Sequence, residues 1–263
     1  MTTLESFIFG LLQGLTEFLP ISSSAHLKLA KIFFGIESSE NQVIFDLVCH
    51  LGTLVAVLYF FRQEIVTLFT TERKKLSLLL IATLPLVPCY LLLKPLRDFA
   101  SAPHFLGLCM IITGGILFVG NRLRIRQLSP PSLKQDIHHA LWIGTMQTAA
   151  LIPGISRSAS TISCATALGW TAKDAVSFSF LLSIPTVIGG NCLELLKILI
   201  SSEAPPTIAV NSCVIGFTTS MIVGFIMIRI AMAILQKGNL KPFAWYCIII
   251  GTLTTVYMNF SRI

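Results

Sequence analysis

LPISSSAHLKL, residues 19–29, is an unusually polar run for the apolar sequence around it. Three serines and a histidine stand between Glu17 and Lys28, in a segment otherwise apolar enough to enter a membrane. Hydrocarbon offers no water to polar groups, so such a run must turn the chain or line a polar site. Pro20 ends the helix before it, since its ring collides with the preceding turn and it has no N–H to give. The serines then suit the N-cap of a returning helix. The expected local structure is a helix–loop–helix over residues 4–36 that enters and leaves by the same face.

Composition extends this to the whole chain. Of 263 residues, 54% are hydrophobic and 12% charged, where a soluble domain carries about 25% charged residues. Six stretches, roughly 43–61, 76–93, 104–120, 176–200, 207–235 and 242–260, are long enough as helices to cross about 30 Å of hydrocarbon. A second region, 140–170, is apolar but broken like 4–36. The fold expected is an all-α integral membrane protein: six transmembrane helices plus two re-entrant helix–loop–helix hairpins, in a single membrane domain over 1–263. The opening MTTLESF lacks a basic n-region and reads as mature sequence. The net charge of +7 sits in short loops between apolar runs, which is a topology signal and argues against a nucleic-acid partner. Cysteines 49, 89, 109, 164, 192, 213 and 247 are scattered without a CxxC pair and read as small core hydrophobes.

The two broken regions are related. A shift of 134 residues pairs Gly10 with Gly144, Gln13 with Gln147, Ile21-Ser22 with Ile155-Ser156, and Ser24-Ala25 with Ser158-Ala159. FDLVCHLGT (45–53) is similar to FSFLLSIPT (178–186) at a shift of 133. Each half, about 1–130 and 135–263, then holds one hairpin and three spans. Three is odd, so the halves are expected to be inverted-topology repeats whose broken helices meet near the midplane. Arg62, Arg73, Lys74, Lys75, Arg122, Arg124, Arg126, Lys134, Lys173, Lys237 and Lys241 fall on one face, against Lys94, Arg97 and Arg262 on the other. The first face is expected to be cytoplasmic, with both termini and the mouth of the first hairpin outside.

Polar groups at membrane depth suggest function. In the first hairpin these are Gln13, Glu17, Ser22, Ser23, Ser24 and His26; Gln13 and Glu17, four apart, share a helical face. In the second, LIPGISRSAST (151–161), Pro153-Gly154 breaks the chain ahead of Ser156, Arg157, Ser158, Ser160 and Thr161. An arginine among hydroxyls and backbone N–H groups at a helix start is an anion cradle; structural pairing of Arg157 with Glu17 across the repeats is the alternative. The set supplies the chemistry of phosphate-ester cleavage. Glu17 and Gln13 offer oxygens to a divalent cation, Arg157 neutralises phosphoryl charge, His26 is a general base, and Ser23 a nucleophile or phosphate ligand. Spacing does not choose between a phosphoserine route and attack by water. Asp46 and His50, four apart, suit a metal pair or, better, a structural pairing that supports the hairpins. His138-His139 suit a solvated face. Glu194 and Lys197 suit an ion pair, and Trp142 and Trp245-Tyr246 an interfacial belt.

QGLTEFLPISSSAH (13–26) and PGISRSAST (153–161) resemble the two signature motifs of the undecaprenyl-pyrophosphate phosphatase, or bacitracin-resistance, family. Gln13, Glu17, Ser22, Ser23 and His26 match the first motif; Pro153, Gly154, Ser156, Arg157, Ser158 and Thr161 match the second. The resemblance implies a metal-dependent enzyme, using Mg or Ca, of the bacterial cytoplasmic membrane. It implies removal of the terminal phosphate of undecaprenyl pyrophosphate on the outer side, which recycles the lipid carrier of peptidoglycan synthesis. It further implies that Glu17, Ser23, His26 and Arg157 are catalytic, with Ser22, Gly154, Ser156, Ser158 and Thr161 around the phosphate. Ala25 and Ala159 replace glycines common in the family, and Gln13 takes the less common option at its position. The partners expected are the polyprenyl diphosphate and the bilayer, with a homodimer left open. A secondary transporter or lipid flippase of the same architecture and a structural membrane protein are the rival readings.

Overall fold

The computed structural model describes residues 1–36, 40–123, 133–200 and 209–260. Every regular element among them is helical. In chain order these are α1 (Thr3–Thr16), α2 (Ser23–Phe33), α3 (Glu40–Phe60), α4 (Arg62–Thr70), α5 (Arg73–Thr83), α6 (Leu86–Leu92) and α7 (Lys94–Ala100). The remainder are α8 (Leu106–Arg122), α9 (Leu133–Thr148), α10 (Arg157–Ala167), α11 (Ala172–Ile200), α12 (Val210–Leu235) and α13 (Lys241–Phe260). Six helices among the described residues are long and apolar enough to cross a membrane. They run Asn41–Phe60, Arg73–Leu92, Pro103–Arg122, Ala172–Ile198, Val210–Leu235 and Lys241–Phe260, which are the six stretches expected. The protein is therefore a multi-pass membrane protein.

The differences have local causes. The second span breaks at Leu84-Pro85, where the prolines at 85 and 88 lack the N–H groups that would continue α5 into α6. Pro185, by contrast, is carried inside α11. The basic segment 62–75, expected as a loop, folds into α4 and the first turn of α5, tied by Lys75 to Glu64 at 3.5 Å. Lys173 opens α11 rather than sitting in a loop, and Lys94 and Arg97 belong to α7. Arg124, Arg126, the side chain of Lys134, and Arg262 lie outside the described residues.

Between helices in hydrocarbon the hydrophobic effect gives little, so association rests on close packing of small residues. α8 lies against α13 at a crossing where a Cβ on Gly107 would come 2.4 Å from the Gly251 carbonyl oxygen. A Cβ on Gly251 would come 2.6 Å from that of Gly107. α12 packs on α1 and α3, α5 on α9, and α10 on α8 and α11. The largest buried cluster gathers Phe18, Phe61, Phe178 and Phe180 with aliphatic residues from both halves. Phe180 packs on Phe18 at 5.5 Å and edge-on to Phe61 at 6.4 Å between ring centroids. Phe18 follows Glu17 and Phe180 follows Ser179, so this aromatic plug sits directly behind the polar groups and fixes their depth.

Candidate active site

α1 runs to Thr16, and the Glu17 N–H still donates to the Gln13 carbonyl at 3.0 Å. The chain then turns over Pro20. Ser22 takes the left-handed region, φ 70°, a conformation that costs a non-glycine residue on the order of 1–3 kcal/mol and that clusters at functional sites. From there its Oγ accepts the Ala25 N–H at 3.4 Å and caps α2. The second hairpin turns at Gly154, φ 100°, a position where any side chain would be strained. Ser156 caps α10 by accepting the Ala159 N–H at 3.2 Å. The two caps match: Ser22 and Ser24 hydroxyls are 3.2 Å apart, as are those of Ser156 and Ser158. Two serine-capped helix N-termini, with the positive ends of their dipoles, thereby border one cavity.

Three bonds clasp the hairpins. The Gly154 N–H donates to Ser24 Oγ at 3.4 Å, Ser158 Oγ donates to the Leu19 carbonyl at 3.2 Å, and Arg157 Nη2 donates to Glu17 Oε1 at 2.9 Å. Arg157 Nη1 also donates to the Ser179 carbonyl at 3.2 Å, which fixes the plane of the guanidinium. Thr113 of α8 secures the second turn: its hydroxyl donates to the Gly154 carbonyl and accepts the Ser156 N–H, both at 3.1 Å.

Glu17 is the hub. Its carboxylate is 8% exposed, with Oε1 on Arg157. Oε2 accepts from Ser23 Oγ at 2.7 Å and from Gln13 Nε2 at 3.1 Å, and lies 3.6 Å from His50 Nδ1. Gln13 Nε2 stands 2.8 Å from that same His50 nitrogen; an amide nitrogen only donates, so the ring nitrogen accepts.

These groups open on a cavity of about 360 Å³. Glu17, Ser22, Ser23, Ser24, Ser156, Arg157 and Ser158 line one side, His50 and Gln147 flank them, and Tyr90, Asn191 and Glu194 stand further along. Of the residues expected from sequence, Glu17, Ser22, Ser23, Ser156, Arg157 and Ser158 therefore come together. Gln13 is fully buried behind Glu17. Gly154 contributes the turn, and Thr161 hydrogen-bonds Ser179 Oγ at 2.7 Å within the hairpin support. His26 stands outside the cavity wall. Its Nδ1–H donates to the Ser22 carbonyl at 2.7 Å, which leaves Nε2 to accept from the Tyr246 hydroxyl at 2.8 Å.

Asp46 and His50 do not pair with each other. Asp46 binds Lys31 at 2.6 Å, while His50 joins the Glu17 cluster. His139 accepts the Trp170 indole N–H at 3.0 Å instead of facing water, and Glu194 pairs with Lys197 at 2.7 Å. Sequence reasoning gave no site role to Gln147, yet the repeat had already paired it with Gln13. Its Oε1 accepts from Thr186 at 3.2 Å, and its Nε2 is buried with no partner. Asn191 and Tyr90 carried no motif signal.

These features make a multi-pass helical membrane protein with a largely buried cluster of serines, Glu17 and Arg157 gathered between two helix starts. The family model described as "Bacitracin resistance protein BacA" matches residues 6–253, and the chain belongs to that family. A Protochlamydia amoebophila protein named undecaprenyl-diphosphatase is 43% identical, with 98% of this chain and all of that protein covered. Proteins of the same name from Carboxydothermus hydrogenoformans and Geotalea daltonii are 36% and 34% identical, with 97% and 99% of this chain covered and 97% and 100% of theirs.

Proposed function

We propose that this chain is a membrane phosphatase that hydrolyses undecaprenyl diphosphate to undecaprenyl phosphate and inorganic phosphate. The observation that carries the reading is the facing pair of serine-capped helix N-termini closed by Arg157 and Glu17. Helix starts attract phosphate through aligned N–H groups and the positive end of the helix dipole. A guanidinium held in plane adds a fork that matches phosphoryl oxygens.

The chemistry follows from the distances. Ser23 Oγ, 2.7 Å from Glu17 Oε2, attacks the terminal phosphorus while its proton passes to the carboxylate. The P–O bond to the bridging oxygen breaks, and undecaprenyl phosphate leaves. The carboxylate passes the proton it took from Ser23 to the departing phosphate oxygen; it then takes a proton from the water that attacks the phosphoserine and returns it to Ser23 Oγ as the bond from serine to phosphorus breaks and inorganic phosphate leaves. Arg157, the N–H groups of both helix starts and the unused Gln147 amide hold the charge that spreads over the phosphoryl oxygens. His26 acts on this step through the Ser22 carbonyl, orienting the strained turn that aims Ser23. Direct attack by water activated at Glu17 is the alternative.

No group of three or more His, Cys, Asp or Glu side chains suited to a metal gathers among the described residues. The oxygens available are those of Glu17 and Gln13 Oε1, which is buried without a partner. That donor set suits a cation such as Mg or Ca that takes its remaining ligands from diphosphate and water. Bound there, it would neutralise charge on the diphosphate.

The inverted repeat, with two re-entrant hairpins, is part of this proposal. The contacts α1–α12 and α5–α9 exchange when the halves are swapped, as do α3–α12 and α5–α11, while α3–α11 and α8–α13 map onto themselves. With the basic face inward, the site opens outside the bacterial cytoplasmic membrane, both termini lie outside, and the enzyme recycles the carrier for peptidoglycan synthesis and gives resistance to bacitracin. The decisive experiment is phosphate release from undecaprenyl diphosphate by purified protein in detergent, with and without chelator, beside Glu17→Ala. Release that Glu17→Ala abolishes supports the reading. No release, with lipid flipping in liposomes, would replace it with the transporter.

A further inference from the structure

The catalytic cavity does not end at its polar wall. From Arg157 it follows one face of α11 through Thr186, Val187, Gly190, Asn191 and Glu194. A second cavity, of about 400 Å³, begins where it stops, lined by Tyr90, Leu193, Leu196, Lys197 and Ile200. Tyr90 of α6 belongs to both. These positions climb α11 at helical spacing, so one helix carries a continuous path that is polar at its start and apolar at its end; at 1.5 Å per residue the climb from 186 to 200 is about 21 Å.

The junction is marked by charge. Arg97 of α7 lies over the Tyr90 ring at 4.2 Å from its centroid, and Lys197 at 5.3 Å. Lys197 also binds Glu194 at 2.7 Å. Gly190 leaves the path open: a Cβ built there meets nothing within 4 Å. A ligand that fills both cavities needs a strongly anionic end at Arg157 and an apolar chain that passes Gly190 and continues beyond Tyr90.

Resting on the phosphatase reading above, we infer that the substrate's isoprenyl chain leaves the site along α11, with its first isoprene units in the slot between Tyr90, Leu193, Leu196 and Ile200. This segment sets the enzyme's preference for long-chain diphosphates, because chain atoms beyond the diphosphate find apolar contacts there. The other occupant of such a slot, a bulk membrane lipid, carries no diphosphate to anchor it at Arg157 and is an outcome of the test.

Gly190→Leu puts a side chain into the open path, and Leu196→Trp fills the slot from its lipid-facing side. Purified wild type and both variants are assayed on undecaprenyl diphosphate and on a two-isoprene diphosphate, and the ratio of the two kcat/KM values is read. A pocket that loses room for one or two methylenes discriminates by about tenfold or more, so the long-to-short ratio falls at least about tenfold in each variant. Independently, a polyprenyl diphosphate with a photoreactive group in its first isoprenes, used with wild type, labels residues of α6 or the 193–200 segment of α11. An unmoved ratio together with a label elsewhere overturns the tail path while leaving the phosphatase intact. Labelling of the slot by a photoreactive phospholipid that the diphosphate does not compete away overturns it too. A wild type inactive on both diphosphates removes the phosphatase reading and this inference with it.

Discussion

Arg157 is the position at which the structure makes its sharpest quantitative claim. The guanidinium makes two fixed bonds, to Glu17 Oε1 at 2.9 Å and to the Ser179 carbonyl at 3.2 Å, and its side chain is 13% exposed. Arg157→Ala strips the buried Glu17 of its counter-charge, and breaking a buried pair from one side costs about 3–5 kcal/mol. Loss of activity in that variant would mix misfolding with chemistry. Arg157→Lys keeps the charge but replaces the fork by a point donor able to serve one of the two acceptors. One charge-assisted hydrogen bond is lost, about 1.5–3 kcal/mol, which leaves the fold standing. Loss of a preorganised donor to developing phosphoryl charge costs about 10²–10³ in kcat. The assay is phosphate release from undecaprenyl diphosphate in detergent, paired with thermal unfolding of the same preparations. The expected result is a folded Arg157→Lys protein with kcat reduced at least about 100-fold. A folded variant turning over within about threefold of wild type would refute the assignment of Arg157 to phosphate and leave it a structural partner of Glu17.

Ser23→Ala removes the hydroxyl on Glu17 Oε2 and is expected to abolish turnover, with phosphate trapped on the wild-type protein by rapid acid quench; turnover of a few per cent or more in the variant would move the attack to water. Tyr246→Phe frees His26 Nε2 of its one side-chain donor and is expected to change kcat by less than about tenfold, whereas a loss as large as that of Ser23→Ala would place His26 in the proton transfer itself. Gly107→Val drives a side chain into the Gly251 carbonyl and is expected to lower the unfolding temperature sharply or abolish folded yield, read by size-exclusion profile in detergent; a wild-type profile would refute the close α8–α13 crossing. Gln147→Leu keeps volume but removes the unused donor from the cavity and is expected to raise KM with little loss of fold; an unchanged KM would exclude the amide from phosphate binding.

What could be read in the sequence followed from patterns with a single physical explanation. Long apolar runs gave all six spans, and Pro20 followed by Ser22, Ser23 and Ser24 gave the turn and its cap, because hydrocarbon admits few other solutions. Glu17, Ser23 and Arg157 were legible together because the repeat placed the two hairpins in register. The positions that escaped depend on which helix packs where. His50 lies 37 residues from Gln13, and whether it meets Asp46 or the carboxylate is set by the rotation of α3 against α1. Thr113 braces Gly154 from a helix whose sequence, LCMIITGGILF, reads as plain membrane span. The break in α5–α6 was hidden in the opposite way: Pro85 and Pro88 were visible, but hydropathy averaged over them.

The ion pair between Glu17 and Arg157 has a consequence for how the site exchanges ligands. In its resting arrangement the guanidinium gives one bond to Glu17 and one to the Ser179 carbonyl, and it lines the cavity with further N–H donors to spare. On the proposed mechanism, an anionic ligand that draws Arg157 away from Glu17 would leave that carboxylate bonded to Ser23 and Gln13 alone. A neutral or zwitterionic lipid drifting into the cavity cannot force that exchange. On the proposed mechanism the pairing would therefore favour ligands charged enough to compete for Arg157 over the far more numerous lipids around the protein.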